Sequence, residues 1–237
     1  KLNVDGAGFR VCTPIGIDED GKRFDGIFDG QGYTVSGLYI DDFYKGEVGL
    51  FCATGSNSLI KNVGVVDSYF CTHSNSTVGG VCGSNHGTIG NCYNVSTCGS
   101  CANAVSVGGV CGTNYGTITN CHNSGIFNSN ITSGSYGGVC GYNDNGTITN
   151  CYNAGKLGEN GAEIADIGGV CGSNEYGFIN NTYYLEGTAD NGIVEGSGDA
   201  TETTSGQFAS GEVAWLLNGS EAGESPAWRQ TIGEDEY

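Results

Sequence analysis

Val78-Gly79-Gly80-Val81-Cys82-Gly83-Ser84-Asn85-His86-Gly87-Thr88-Ile89-Gly90-Asn91-Cys92-Tyr93-Asn94 is a stretch that the chain writes four times with variations. Its core, Gly-Gly-Val-Cys-Gly, returns at 108–112, 137–141 and 168–172, so Cys82, Cys111, Cys140 and Cys171 step by 29, 29 and 31 residues. Self-similarity at such a period marks a repeat architecture, in which each unit buries its faces only against its neighbours. The units are rich in Gly, Asn, Thr and Val, which disfavour helix interiors and suit strands and turns. Stacked coils ~4.8 Å apart then pair every strand with the coil below and the coil above.

Aligning the units gives an apolar column of Val35, Ile60, Ile89, Ile118, Ile148 and Ile179. A second column, three residues on, is Leu38, Val63, Cys92, Cys121, Cys151 and Thr182. A three-residue step breaks the two-residue alternation of a strand, so a corner is expected between the columns, as at Thr119-Asn120. Asparagine tolerates the left-handed backbone that such a corner needs. Asn62, Asn91, Asn120, Asn150 and Asn181 are therefore expected to stack as one amide ladder. Asn85, Asn114, Asn143 and Asn174, in the turn before Gly-Thr-Ile, form a second. Val and Cys of Gly-Gly-Val-Cys-Gly are adjacent and cannot both point inward in a regular strand, so the cysteine is expected inside.

The chain of 237 residues holds 26 acidic and 8 basic residues, a formal net charge of -18. Such a surface repels nucleic acid and anionic lipid, which excludes nucleic-acid partners. No apolar run of ~20 residues is present, so no membrane insertion is expected. Eight of the twelve cysteines fall in two columns, Cys52, Cys82, Cys111, Cys140, Cys171 and Cys92, Cys121, Cys151. Parallel Cβ vectors on stacked coils hold the Cβ atoms outside the ~3.5–4.5 Å disulfide window, so these columns read as core ladders of free thiols.

Chemistry-bearing residues are sparse. The carboxylates Asp41, Asp42, Asp67, Glu159, Glu163 and Asp166 lie mostly in loop segments and form no recurring column. A lyase would need a basic residue, and the central coils offer Lys61 and Lys156; His73, His86 and His122 lack a nucleophile context. No catalytic residue is assigned. Cys98-Gly99-Ser100-Cys101 has half of a zinc spacing, which Cys71 or His73 of the previous coil could complete, but one pair without a second is weak. Asp144-Asn145-Gly146 reads as an ordinary turn. No metal site and no cofactor are expected. The residues following the second column, Tyr39, Gly64, Tyr93, His122, Tyr152 and Tyr183, should point outward as an aromatic stripe. Tyr93, His122, Tyr152 and Tyr183 are the candidate ligand-binding residues, because aromatic faces with polar tips suit sugars and proteins alike. A looser second row is His86, Tyr115 and Tyr176.

Gly-Gly-Val-Cys-Gly…Asn…Gly-Thr-Ile…Asn-Cys-Tyr-Asn resembles the GLUG-motif repeat of bacterial surface proteins. Phe28-Asp29-Gly30-Gln31-Gly32-Tyr33-Thr34-Val35-Ser36-Gly37-Leu38 resembles the opening coil that often precedes such repeats. The resemblance covers about residues 24–187 and implies an extracellular, adhesin-like, right-handed parallel β-helix without catalytic residues. One departure is cysteine at 82, 111, 140 and 171, where many family repeats carry valine.

The fold expected is all-β: a right-handed parallel β-helix of about six coils with a short C-terminal capping helix. Residues 1–187 are the β-helix with its N-terminal lead-in, and 188–237 are the cap of the same unit. In that cap, 188–204 reads as a loop, and Ser205–Gly219 as an amphipathic helix laid over the last coil. Trp228–Gly233 resembles the short strand that often follows such a helix in gut-bacterial surface proteins. The function expected is a non-catalytic cell-surface or secreted adhesin-like module or rigid stalk. It would be a monomer, with a glycan or a host surface protein as its partner along the outer strands. The alternative is a polysaccharide hydrolase or lyase on the same scaffold. The chain begins mid-sense at Lys1 and reads as part of a longer protein whose signal and anchor lie elsewhere.

Overall fold

The computed structural model describes residues 10–19, 21–42, 46–73, 75–100, 105–129, 134–157, 167–220 and 226–230. The described chain is a parallel β-solenoid: 23 strands in two sheets of 14 and 9, all their pairings parallel, with two short helices near the end. One coil runs through Thr77–Gly79, Cys82–Asn85, Thr88–Gly90 and Tyr93–Ser100. The isoleucine column forms as read from Ile60 onward, with Ile60, Ile89, Ile118, Ile148 and Ile179 in register and buried. The Asn corners are real. Asn62, Asn91, Asn120, Asn150 and Asn181 all have φ of 52–56°, the left-handed region.

The opening coil departs from the sequence alignment. Phe28, not Val35, pairs with Ile60, while Val35 pairs with Val65. The register offset falls from 32 at Phe28 to 30 at Thr34, so this coil holds two extra residues at its corner. They are absorbed by Gln31 (φ 53°) and Gly32 (φ 80°), which replace the single left-handed asparagine of the later coils. Leu38 therefore leaves the second column, and Tyr39 pairs with Tyr69 rather than preceding Gly64 in the stripe.

Gly-Gly-Val-Cys-Gly solves its adjacency problem by turning. Val81, Val110, Val139 and Val170 are fully buried, and so are Cys82, Cys111, Cys140 and Cys171. A bend at Gly80-Val81 separates the two strands, and the N–H groups of Val81 and Cys82 both donate to the Val110 carbonyl. Valine and cysteine thus point inward from opposite sides of one corner. The bend needs glycine because a Cβ on Gly109 would lie 2.2 Å from Asn123 Cγ and 2.4 Å from the Gly138 carbonyl oxygen.

The cysteine column begins one coil later than expected. Phe51, not Cys52, pairs with Cys82, and the column ends at Ile193. Ten cysteines, Cys12, Cys52, Cys82, Cys92, Cys98, Cys111, Cys121, Cys140, Cys151 and Cys171, are free thiols. Each ladder thiol donates to a backbone carbonyl two residues away, as Cys111 does to Thr113 O (3.1 Å) and Cys151 to Thr149 O (3.1 Å). Burial pushes the Cys111 and Cys121 thiols well up, and the hydrogen bond with Cys140, together with burial, does the same for Cys171, so they act as small apolar packing groups.

Of the amide ladders, the turn ladder is complete. Asn85 Nδ2 donates to Asn114 Oδ1 (2.8 Å), Asn114 to Asn143 (2.7 Å) and Asn143 to Asn174 (2.7 Å). The corner ladder is partial: Asn91 donates to Asn62 (3.1 Å) and Asn181 to Asn150 (2.9 Å), while Asn120 Oδ1 is buried without a partner. A third ladder was not anticipated. Asn94, Asn123 and Asn153 are fully buried; Asn94 donates to Asn123 and Asn123 to Asn153, at 2.9 Å each. A further core column, Ile40, Phe70, Cys98, Phe127 and Leu157, also escaped the sequence alignment.

The expected loop at 188–204 contains two strands. Asn191–Glu195 pairs with Ile167–Glu175, and Ala200–Thr203 pairs with Phe178–Leu185. The amphipathic segment forms two helices, α1 (Ser205–Ala209) and α2 (Glu212–Leu217). Thr204 and Gln207 make a capping box at the start of α1, and Gly211 (φ 81°) turns the chain into α2. No strand forms at 226–230, and 231–233 lie outside the described residues.

Candidate functional site

The outward stripe is built by the left-handed corners. Each places the residue two positions after the asparagine on the outer face, so Gly64, Tyr93, His122, Tyr152 and Tyr183 stand in consecutive register. The rings stack. Tyr93 and His122 centroids are 5.0 Å apart at 8°, and His122 and Tyr152 are 4.7 Å apart at 5°. Gly64 lies under the end of the stack, where a Cβ would stand 2.2 Å from the Tyr93 ring. The row on the other turn is shorter: His86 stacks on Tyr115 at 4.5 Å, and Tyr176 is 84% exposed.

The structure brings together Tyr93, His122, Tyr152 and Tyr183, and adds a cover that local sequence did not reveal. The capping helices lay their apolar face on the outer side of the solenoid's last coils. Phe208, Val213 and Leu217 are buried against Tyr152, Tyr183, Leu185 and Trp228 on its flank. Phe208 lies 5.4 Å from the Tyr152 ring, and Trp228 sits 5.1 Å from Tyr152 and edge-on to His122 at 5.7 Å. Polar groups fix this cover. Asn218 Nδ2 donates to the Ala214 and Trp228 carbonyls (2.8 Å each), and its Oδ1 accepts from Trp228 N–H (3.1 Å). Asn181, the last corner asparagine, donates to the Leu216 and Leu217 carbonyls, which are end groups of α2. Trp228 Nε1 is buried without a partner. The sequence signal for the cover was the apolar face of Phe208, Val213 and Leu217; its docking place had none.

Burial between Tyr93, Tyr152 and Trp228 lowers the His122 pKa to about 4, and burial raises the Tyr152 phenol. The sign follows from proton binding. Above pH ~6.5 the imidazole is neutral in both folded and unfolded chains and adds no pH dependence. As pH falls toward 4, the unfolded chain takes a proton that the folded chain refuses, so stability is lost in that window. The loss is about 2–3 kcal/mol. His122→Tyr, which continues the Tyr93 and Tyr152 stack, is expected to lose about that much less than the parent between pH 7 and 4. Urea unfolding of both chains at the two pH values reads the difference; equal losses would place the burial elsewhere.

The other candidate groups are dispersed. Asp41 accepts from Tyr39 and pairs with His73, Lys61 pairs with Asp29 at 3.3 Å, and Lys156 is exposed. Asp67 occupies a left-handed position at φ 45°. The side chain of Asp42, and Glu159, Glu163 and Asp166, lie outside the described residues. Cys98 is buried in the Phe70–Phe127 column and its thiol is pushed up to about 12, which removes it from a surface zinc pair; Cys101 lies outside the described residues. Asp144-Asn145-Gly146 is a turn, with Asn145 at φ 53° and donating to Asp144 (2.6 Å).

Residues 132–158, which span the third Gly-Gly-Val-Cys-Gly, match the family described as "The GLUG motif". A protein of Evansella cellulosilytica named "Putative Gly-rich membrane protein" is 32% identical over 91 residues. That match takes in 38% of this chain and spans about a tenth of the relative, at 10% of its length. A crystal structure from Bacteroides ovatus, named "a putative immunoglobulin A1 protease", shares the fold. Its TM-score is 0.61 at 16% identity, over 91% of this chain and 78% of that one. A likeness at that identity speaks for architecture alone, since one scaffold hosts many functions. No helix among the described residues is long and apolar enough to cross a membrane. The chain carries the GLUG motif, set in coils of a parallel β-solenoid.

Proposed function

We propose that this chain is a rigid, non-catalytic surface module of a larger bacterial protein, which binds glycan or a host surface protein along its outer strands. The ring stack carries this reading: Tyr93, His122 and Tyr152 stack with their planes within 8° of parallel on a solenoid flank. Amide ladders between successive coils leave little freedom to the strands that present the rings. Tyr93, His122, Tyr152 and Tyr183 are the assigned contacts, with Phe208 and Trp228 as the side wall at the Tyr152 end. The stack turns ring edges and polar tips outward, which can meet sugar hydroxyls and protein side chains alike, and its acidic surroundings favour neutral or cationic partners. The Gly-rich membrane relative supports a cell-surface or extracellular setting.

The test is a screen of the purified chain against mucin, host glycans, plant polysaccharides and host surface proteins, scoring retention and released product. Retention without product, weakened at least about tenfold by Tyr93→Ala, is the expected result. Product release would overturn the non-catalytic assignment and bring forward the polysaccharide hydrolase or lyase. No retention on any of them would overturn the adhesive assignment and leave a spacer.

A further inference from the structure

We propose that Asp41, Cys71 and His73 form a redox-gated site for a zinc-class divalent cation. Asp41 and Cys71 are register partners on the adjacent parallel strands Leu38–Asp42 and Gly64–Thr72. His73 follows Cys71 by two residues, the spacing that returns a side chain to the same side. The three donor atoms lie within 4.8 Å of one another, and His73 Nε2 is 2.8 Å from Asp41 Oδ1. Tetrahedral zinc, with bonds of roughly 2.0–2.3 Å, needs its donors about 3–4 Å apart, so small side-chain shifts suffice. The supporting contacts suit a ligand set. Tyr39 donates its hydroxyl to Asp41 Oδ2 (3.1 Å), which orients the carboxylate with Oδ1 toward His73. The next coil sets Gly99 opposite Cys71, so no side chain from that register position crowds the sulfur.

The gate is the state of Cys71, whose sulfur is held in a disulfide. A disulfide sulfur carries no thiolate charge and is a poor zinc ligand, which leaves only the His–Asp pair. An external dithiol supplies two electrons and two protons to the S–S bond and becomes a disulfide itself, so that Cys71 and the cysteine bonded to it each leave as a thiol. The Cys71 thiol then loses its proton as the cation binds, completing a sulfur, nitrogen and oxygen set of the kind that zinc favours. Nine of the free thiols are buried in the core, which keeps them from the cation while the chain is folded.

The experiment uses the whole chain, reduced anaerobically with a dithiol that is then removed, beside the untreated chain. Each is titrated with Co2+ as a spectroscopic probe and then with Zn2+, while circular dichroism follows the fold. The expected result is one equivalent bound by the reduced chain alone, with a thiolate-to-cobalt charge-transfer band. Asp41→Asn and His73→Asn should each weaken binding at least about tenfold while retaining the fold, and Cys71→Ser should abolish the band. Equal binding by both redox states, binding unaffected by Asp41→Asn and His73→Asn, or loss of the fold on reduction would each overturn the proposal. None of these results depends on glycan retention.

Discussion

Replacing Asn114 with leucine is expected to destabilise the protein by about 4 kcal/mol, although the new side chain keeps the same heavy-atom count and branching. Asn114 is fully buried in the middle of the turn ladder. Its Oδ1 accepts from Asn85 Nδ2 and from the Gly116 N–H, and its Nδ2 donates to Asn143 Oδ1 and the Gly116 carbonyl. Leucine leaves those partners facing an apolar group, and each unmet buried group costs roughly 1–3 kcal/mol. Asn85 Nδ2 keeps the Gly87 carbonyl as a second acceptor, so the penalties do not simply add. Asn91→Gly is the contrasting variant. Asn91 is exposed, its φ of 53° suits glycine, and its amide makes one ladder bond, to Asn62, so a cost of about 1 kcal/mol or less is expected. Denaturant unfolding of both variants measures the gap. Equal costs would mean that the buried ladder contributes no more than a surface corner.

Ile118→Asn is expected to cost about 3–5 kcal/mol. Ile118 is fully buried, in register between Ile89 below and Ile148 above. The substitution removes apolar packing on both sides and places an amide where its neighbours in the column offer only hydrocarbon. Ile118→Val, which deletes one methylene and keeps the β-branch, should cost about 0.5–1.5 kcal/mol. The ratio separates polarity from volume, because a site that tolerated both changes equally would not be core. A solenoid's stability is distributed coil by coil, so the damage can appear as early opening of the central coils before the ends. Hydrogen exchange at 88–90, 117–119 and 147–149 would localise it.

Together these variants show how much of the molecule is carried by repetition. The period, the isoleucine column from Ile60 to Ile179, the free thiols and the left-handed asparagine corners were all legible in the chain. So was the register of the aromatic stripe from Gly64 to Tyr183. Each is repeated in successive coils, and stacking turns a sequence period directly into a spatial column. The readings that slipped came where repetition was thin. The opening coil has one copy and two extra corner residues, so Val35 and Leu38 were placed in columns that belong to other residues. Cys52 belongs to a coil one residue shorter at the Gly-Gly corner: Val48 pairs with Val78, but Phe51 with Cys82.

The sequence by itself determined a stack of β-coils, because a period near 30 residues can bury its faces only against copies of itself. It also determined which side of each corner is apolar, since a left-handed asparagine between two apolar positions turns both inward. Tertiary structure alone decided three things. It set Val81 and Cys82 on opposite sides of one bend, where strand alternation allowed only one of them inside. It aligned Asn94, Asn123 and Asn153 into a buried ladder against the glycines of that bend. It sent α1, α2 and Trp228 onto the aromatic flank. An amphipathic helix specifies that a face be covered but not which one, and that choice rests on Asn181, Asn218 and the ring contacts, none of which a local pattern records.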